Sequence, residues 1–489
     1  MILEVLKTLF TPMNFLFLNV GLFSGIIVGA LPGLTGTMCI ALLLPLTYGM
    51  NSITSMLLLL GVYCGGIFGG SITAILINTP GTPASAATAL DGYAMAKKGQ
   101  AGRALHTALS ASIVGGLFST FVLLVAAPAI ASFALKFGPV EYFALGVFGL
   151  TIISSVGGDS ILKGLMMGMA GLFVSTIGLD PIDGIPRFSG NITELLGGIK
   201  IIPALIGLFA ITEILNKGRN IFNTSETPIQ IEGKTKTRFI DVLKYKMVLL
   251  KSSILGVFIG AVPGTGAAIA SFLAYNEAKR TSKTPEEFGR GSEEAVVASE
   301  AANNAVTGAT LIPLLTLGIP GDTNTAVLIG ALTMQGIIPG PQLFVEQRSW
   351  VYAIMFGLIL VNLFMYVQGK FLIKSFINVT KVPSNVMIPV LIVLCVIGAY
   401  AVNNNTFDAL LMIIFGIFGY LMLKLKFPLT PMVIAIVLGP MVESNMRRAL
   451  ILSKGSWSIF VTRPISCVFL IIAVLMLFLP LIKKYLIRS

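Results

Sequence analysis

The residues best placed to do chemistry in this chain lie in "ITAILINTPGTPASAATALDGYA", Ile72–Ala94, where an apolar run is broken at Asn78-Thr79-Pro80-Gly81-Thr82-Pro83. Proline removes a backbone donor and clashes with the preceding turn, and Gly81 lets the chain reverse. In hydrocarbon an unpaired N–H or C=O is so costly that a helix breaks at membrane depth only where protein or a water-filled cavity receives the freed groups. The first N–H groups of a restarted helix, at its positive dipole end, attract a carboxylate, and unwound carbonyls can hold a cation. Thr79, Thr82, Ser85 and Thr88 supply hydroxyls around such a restart, and the Asn78 amide both donates and accepts. The competing reading is an ordinary external loop.

A second copy of the pattern argues against that loop. "GIIVGALPG" at Gly25–Gly33 recurs as "GVFIGAVPG" at Gly256–Gly264, an offset of 231 residues, and "NTPGTP" at Asn78–Pro83 recurs as "GIPGDT" at Gly318–Thr323, an offset of 240. The difference comes from the polar insertion "KRTSKTPEEFGR", Lys279–Arg290. Two matches in the same order indicate an internal duplication. Gly/Pro-interrupted apolar segments at corresponding positions of two halves mark the binding site of a secondary transporter. The candidate substrate-binding residues are therefore Gly33 and Thr35 with Gly264 and Thr265, and Asn78, Thr79, Pro80, Gly81 and Thr82 with Pro320 and Gly321. Asn303 and Asn304, with Thr307, precede the second hairpin as Tyr63, Cys64 and Ile67 precede the first, and paired amides in an apolar run suit either a ligand or interhelical hydrogen bonds.

Electrostatics narrows what these residues could hold. Between Ala301 and Val345 there is one acid, Asp322, and no Lys or Arg, so an arginine clamp is excluded there. An anion would rest on backbone N–H groups, neutral side chains and bound cations. Asp322 would repel a carboxylate unless a cation lay between them, which assigns Asp322, Thr323 and Asn324 to cation coupling, with Na⁺ at Asp322 and Thr323, or a proton, as the coupling ion. Helix N-capping by Asp322 is the equal alternative, since Pro-Gly-Asp-Thr also reads as a turn entering a helix. Glu300, opening "EAANNA", could be a proton site or a helix-start dipole partner.

The elements that must position these groups are membrane helices. The 489 residues are 55% hydrophobic and 11% charged, and no charge occurs from Thr8 to Leu90. A spanning helix needs about 20 apolar residues, so the chain reads as an all-α polytopic membrane protein of about 10–12 segments, some not crossing fully, with two repeat-related, Pro/Gly-broken helical hairpins. The expected organisation is a first repeat half, 1–216, with broken segments near 25–48 and 65–95. A basic connection follows at 217–251, then a second repeat core, 252–345, broken near 256–273 and 301–340, and further helices over 346–489. The apolar stretch from Asn14 reads as an uncleaved first segment. Eight cations against three acids in Lys217–Lys251 mark a cytoplasmic loop, whereas the net-negative Asp180–Glu194 stretch should face outside. This placement of the +12 charge points to a bilayer rather than to nucleic acid. Inverted repeats would put Lys97-Lys98 inside and Pro339–Pro341 outside, and would bring the two Pro-Gly breaks together near mid-membrane. Cys39, Cys64, Cys395 and Cys467 read as buried packing residues.

The ordered stretches "GALPGLTG", "YCGGIFGGSITAILINTPGTPASAATALDGY", "RFSGNITELLGGI", "GAVPGTGAAIASFLAY", "SEAANNAVTGATLIPLLTLGIPGD" and "GIIPGPQLF" resemble the large membrane subunit of the tripartite tricarboxylate transporters, the TctA family. The resemblance covers nearly the whole chain, departing where "RFSGN", Arg187–Asn191, stands for an expected "RFTFG". It implies a permease of the bacterial cytoplasmic membrane that imports carboxylates with a cation gradient. It also implies two partners, a small membrane subunit and an extracytoplasmic solute-binding protein. No cofactor and no enzymatic activity are expected, because the sequence offers no paired-acid motif in an apolar run and no metal-ligand cluster. A membrane-embedded enzyme on a lipid-linked substrate and a channel are the alternatives. Duplicated breaks without a charged ring favour alternating access over a channel.

Overall fold

The computed structural model describes residues 2–31, 34–151, 160–218, 239–372 and 384–486. Gly33 and most of the basic connection (219–238) lie outside these residues. Helices dominate the described chain, and its strands there are two antiparallel two-residue ones, β1 (Gly178–Leu179) and β2 (Pro186–Arg187).

The first set of helices runs α1 (Ile2–Leu9), α2 (Pro12–Gly29), α3 (Gly36–Leu43), α4 (Ser52–Ile77) and α5 (Ser85–Met95). Pro12 starts α2 in its first turn, where the missing N–H is not needed. The Thr35 hydroxyl caps α3 by accepting from Met38 N, and the Asn51 side chain caps α4 by accepting from Ile53 N. After α5 the chain kinks at Gly99 (φ 76°) into α6 (Ala101–Ala134). α7 (Pro139–Thr151) and α8 (Ile161–Ser175) follow, then a helical stretch through Ile201–Gly218.

The second set repeats the order of the first: α9 (Lys246–Ala261), α10 (Gly266–Thr281), α11 (Glu293–Ala309), α12 (Leu311–Leu317) and α13 (Thr323–Met334). Corresponding ends carry the same backbone device. α4 ends on Asn78 and α12 on Gly318, both left-handed (φ 53° and 72°) and one 240-residue offset apart. The remaining helices are α14 (Arg348–Leu372), α15 (Ser384–Ala401), α16 (Thr406–Lys424), α17 (Thr430–Leu452) and α18 (Pro464–Leu486).

Close glycine packing joins α2 to α4 and α9 to α11. A Cβ on Gly25 would stand 2.5 Å from the Val62 carbonyl oxygen, and a Cβ on Gly256 would stand 2.5 Å from that of Ala302. Gly29 meets Gly66, and Gly260 meets Val306. Each pair maps onto the other at the offsets 231 and 240, so the packing repeats along with the sequence. Helices in lipid associate through such small-residue contacts because no hydrophobic force draws them together. Both pairs run parallel, yet α4 and α11 run in opposite directions: Ser71 meets Glu300, and Tyr63, eight residues earlier, meets Thr310, ten residues later.

Five described helical spans are long and apolar enough to cross a membrane, including Pro12–Gly29, Ser52–Ile77 and Thr406–Lys424, and shorter apolar helices such as Thr323–Met334 accompany them. This is an all-α polytopic membrane protein. α4 is enclosed by protein along its whole spanning window, whereas α16 shows most of its surface to the surroundings. The ends of α4 differ in charge. At its C-terminal end Lys98 donates to the Arg290 carbonyl, and Arg103 and Lys244 pair with Glu293; at its N-terminal end the neutral Gln335 donates to the Thr47 carbonyl and the Ser55 hydroxyl. Cys39, Cys64 and Cys395 are buried and Cys467 is half-buried, all as free thiols.

Candidate functional site

The second-half breaks are joined through backbone. Gly264, which follows Pro263 between α9 and α10, donates its N–H to the Gly321 carbonyl at 2.7 Å. Gly321 in turn lies so close to Thr310 that a Cβ would come within 2.6 Å of the threonine Cβ. The Thr265 hydroxyl returns to the Val262 carbonyl, which satisfies an acceptor freed by the break. The first half has the corresponding closure. Gly81 donates to the Gly70 carbonyl, and a Cβ there would stand 2.5 Å from the Gly29 oxygen and 2.7 Å from the Gly70 Cα. Only a residue without a side chain fits where the turn presses on two helix backbones. Pro320 and Gly321 are buried, as are Gly81 and Thr82, while Asn78, Thr79 and Pro80 are exposed.

Asp322 is buried and begins α13 as a reciprocal cap: Oδ1 accepts from the Thr325 N–H and hydroxyl, and the Thr325 hydroxyl oxygen accepts from the Asp322 N–H. The capping alternative is therefore realised. Its other oxygen, Oδ2, accepts from the Tyr63 hydroxyl at 2.9 Å and from the Asn324 amide at 3.1 Å. Asn324 Oδ1 accepts from the Thr37 hydroxyl of α3 at 2.7 Å. All these donors are neutral, and Tyr63 and Thr37 come from the other half. Thr323, half-buried at the first position of α13, takes no part in this network.

The two Pro-Gly turns do not bond to each other among the described residues. Each closes on its own half and meets α4 at a different level, Gly81 beside Gly70 and Asp322 beside Tyr63. Seven residues of helix separate these levels, about 10 Å at 1.5 Å per residue. The two turns thus flank the middle of one enclosed helix. α4 and α11 run in opposite directions, so the turns that follow them approach this middle from opposite sides.

Asn304 donates to the Ser112 hydroxyl of α6 at 2.8 Å, and Asn303, wholly buried, makes no hydrogen bond with either amide atom. The readings of Tyr63, Thr37, Ser71 and Ser112 as site residues were not available from local sequence. For Tyr63 one signal existed: at the 240-residue offset it occupies the position of Asn303. No group of three or more His, Cys, Asp or Glu side chains gathers among the described residues.

Interrupted helices that present capped carboxylates and hydroxyls at the centre of a multi-pass bundle define a membrane protein with a polar core, the class that handles solutes within the bilayer. A family model described as the tripartite tricarboxylate transporter TctA family matches residues 15–434, and the chain belongs to that family. It is 40% identical over 463 residues, 94% of this chain and 91% of the other, to an uncharacterized 52.8 kDa protein of the TAR-I ttuC' 3' region of Agrobacterium vitis. It is also 37% identical over 232 residues to an uncharacterized protein of the TAR-II ttuC' 3' region of the same organism, covering 47% of this chain and 96% of that one. No solved structure matches.

Proposed function

We propose that this chain is the permease of a tripartite transporter that imports a tricarboxylate or dicarboxylate across the bacterial cytoplasmic membrane, driven by Na⁺ or H⁺. The observation that carries the reading is the pair of Pro-Gly breaks on oppositely running helix sets, flanking the middle of α4. That arrangement matches the inverted, discontinuous helices from which secondary transporters build central sites. Restarted helices α5 and α13 point their first N–H groups toward the centre, where a carboxylate gains from the dipole ends. Asp322 then serves coupling as well as capping: a cation between it and the substrate would remove their repulsion. The charged end of α4, with Lys98, Arg103 and Lys244, is the cytoplasmic one under the positive-inside rule, and the neutral Gln335 end faces out. Family membership supports the two partner subunits, the small membrane subunit and the solute-binding protein.

The test is reconstitution with both partners in liposomes. Labelled citrate, or a dicarboxylate, should accumulate only when an inward Na⁺ or H⁺ gradient is imposed. Uptake that merely equilibrates would make the protein a channel, and chemical turnover of substrate would make it an enzyme.

A further inference from the structure

Glu300, eight residues into α11, is completely buried, and its hydrogen-bond partners are all neutral. Oε1 accepts from the Ser71 hydroxyl of α4 at 2.6 Å and the Thr88 hydroxyl of α5 at 2.5 Å. Oε2 accepts from the Ser112 hydroxyl of α6 at 2.9 Å, with the Asn304 amide at 3.4 Å. Ser299 shares the Thr88 hydroxyl at 3.0 Å. No ion pair among the described residues reaches this carboxylate; the nearest charged cluster on α11, Glu293 with Arg103 and Lys244, is seven residues back. A charge at the centre of a bundle is costly, and intramembrane carboxylates mark ion pathways.

A second observation concerns the neighbouring amides. Asn303, one turn beyond Glu300 on α11, comes close enough to interact with its carboxylate, yet neither amide atom reaches hydrogen-bond geometry, and the Asn304 Oδ1 is also without a donor. Orphan acceptors buried in an apolar bundle cost free energy unless the molecule has a use for them. The repeat supplies the context. At the 240-residue offset, Asn303 corresponds to Tyr63 and Thr82 to Asp322, so in sequence Asn303 pairs with the first break as Tyr63 pairs with the second. The first break has no acid of its own at that position; Glu300 provides one from the opposite half, through Thr88, one turn beyond Ser85 on α5.

We infer that Glu300, Ser71, Thr88, Ser112 and the Asn303 and Asn304 carbonyls form a Na⁺ site at the first break. One carboxylate balances one monovalent charge, and hydroxyl and amide oxygens are the hard ligands such an ion takes. A proton would engage the carboxylate and leave the orphan amide oxygens unexplained. The inference rests on the transporter reading for what the bound ion drives, and not for binding itself.

The test uses the purified full-length chain in detergent, without substrate or partner subunits, and ²²Na⁺ as the probe. Saturable binding is expected, accompanied by a rise in melting temperature in NaCl relative to choline chloride. Glu300→Gln and Asn303→Ala should each weaken Na⁺ binding by on the order of tenfold or more, the scale seen when partners of a bound ion are removed. Asn303→Ala removes an amide with no hydrogen bond to lose, so it decides the matter if Glu300→Gln does not fold. Na⁺ affinity unchanged in Asn303→Ala overturns the proposal, as does a wild-type protein that binds no Na⁺ and responds only to pH. Na⁺ binding that follows Glu300 and Asn303 supports the site even where reconstituted carboxylate uptake fails. Uptake with Na⁺ binding indifferent to both residues overturns the site and leaves the transporter reading intact.

Discussion

The chain reverses twice on the same residue pair, Pro80-Gly81 and Pro320-Gly321, but furnishes the two turns differently. Behind Pro320-Gly321 stands Asp322, which caps the restarted helix and draws Tyr63 and Asn324 to its free oxygen. Behind Pro80-Gly81 stands Thr82, whose hydroxyl and backbone hydrogen-bond only to Ser85 among the described residues, and the carboxylate of that region, Glu300, arrives from the other half. The steric surroundings differ as well. Gly81 presses on the backbones of α2 and α4, whereas Gly321 presses on one residue, Thr310, much of the contact being its side chain. The shared Pro-Gly pair thus fixes where the chain turns, and the residues around it decide which half donates the charge.

The largest effect should come from filling the first turn. Gly81→Ala places a methyl 2.5 Å from a main-chain oxygen and 2.7 Å from a main-chain carbon, with no rotamer able to yield. Overpacking of this kind costs about 1–3 kcal/mol or more. Gly321→Ala should cost less, and melting temperatures of the two purified variants would rank them. A larger loss at Gly321 breaks the comparison.

Asp322→Ala comes next. Losing an N-cap costs about 0.5–2 kcal/mol, and leaving the buried Tyr63 hydroxyl and Asn324 amide short of an acceptor adds about 1–3 kcal/mol. Asp322→Asn keeps an acceptor for the cap, so it should fold while its uptake loses part of the Na⁺ or pH dependence. If gradient-driven uptake by Asp322→Asn keeps its cation dependence, Asp322 is a cap and nothing more, and the asymmetry in favour of Glu300 sharpens.

Tyr63→Phe removes both hydrogen bonds that its hydroxyl makes to the other half, to Asp322 and with Thr310, with an expected loss of about 1–3 kcal/mol at about 0.5–1.5 kcal/mol each, read by thermal unfolding. Thr323→Ala should be smallest. The residue is half-buried and outside the Asp322 network, so its stability change should fall within about 0.5 kcal/mol of zero. A large loss of Na⁺-dependent uptake in Thr323→Ala, with stability unchanged, would restore it as an ion ligand.

How much of this was legible depends on where the information lies. Pro and Gly act on their own backbone, so the breaks at 78–84 and 318–322, and their repetition, could be read directly. The two meanings of Asp322 could be named but not decided from sequence, since a cap and an ion ligand need the same residue beside the same turn. The links Tyr63–Asp322 and Thr37–Asn324 span 259 and 287 residues, and no local period relates such partners. Glu300 was obscured by the acids before it: Glu293 and Glu294 do sit in the first turn of α11, but Glu300 is two turns deeper and faces α4, α5 and α6. The level at which each turn stops along α4, Gly81 beside Gly70 and Asp322 beside Tyr63, was not legible, because pairing by symmetry gives equivalence, not contact.

The enclosure of α4 has a consequence for the lipid. A helix that borders lipid must tilt, or deform the bilayer, when hydrocarbon thickness changes. α4 is walled by protein throughout its spanning window, whereas α2 and α16 expose much of theirs. A thicker or thinner membrane therefore acts first on those outer helices, and the levels at which Gly70 and Tyr63 receive the two turns are set by the protein's own packing rather than by the bilayer around it.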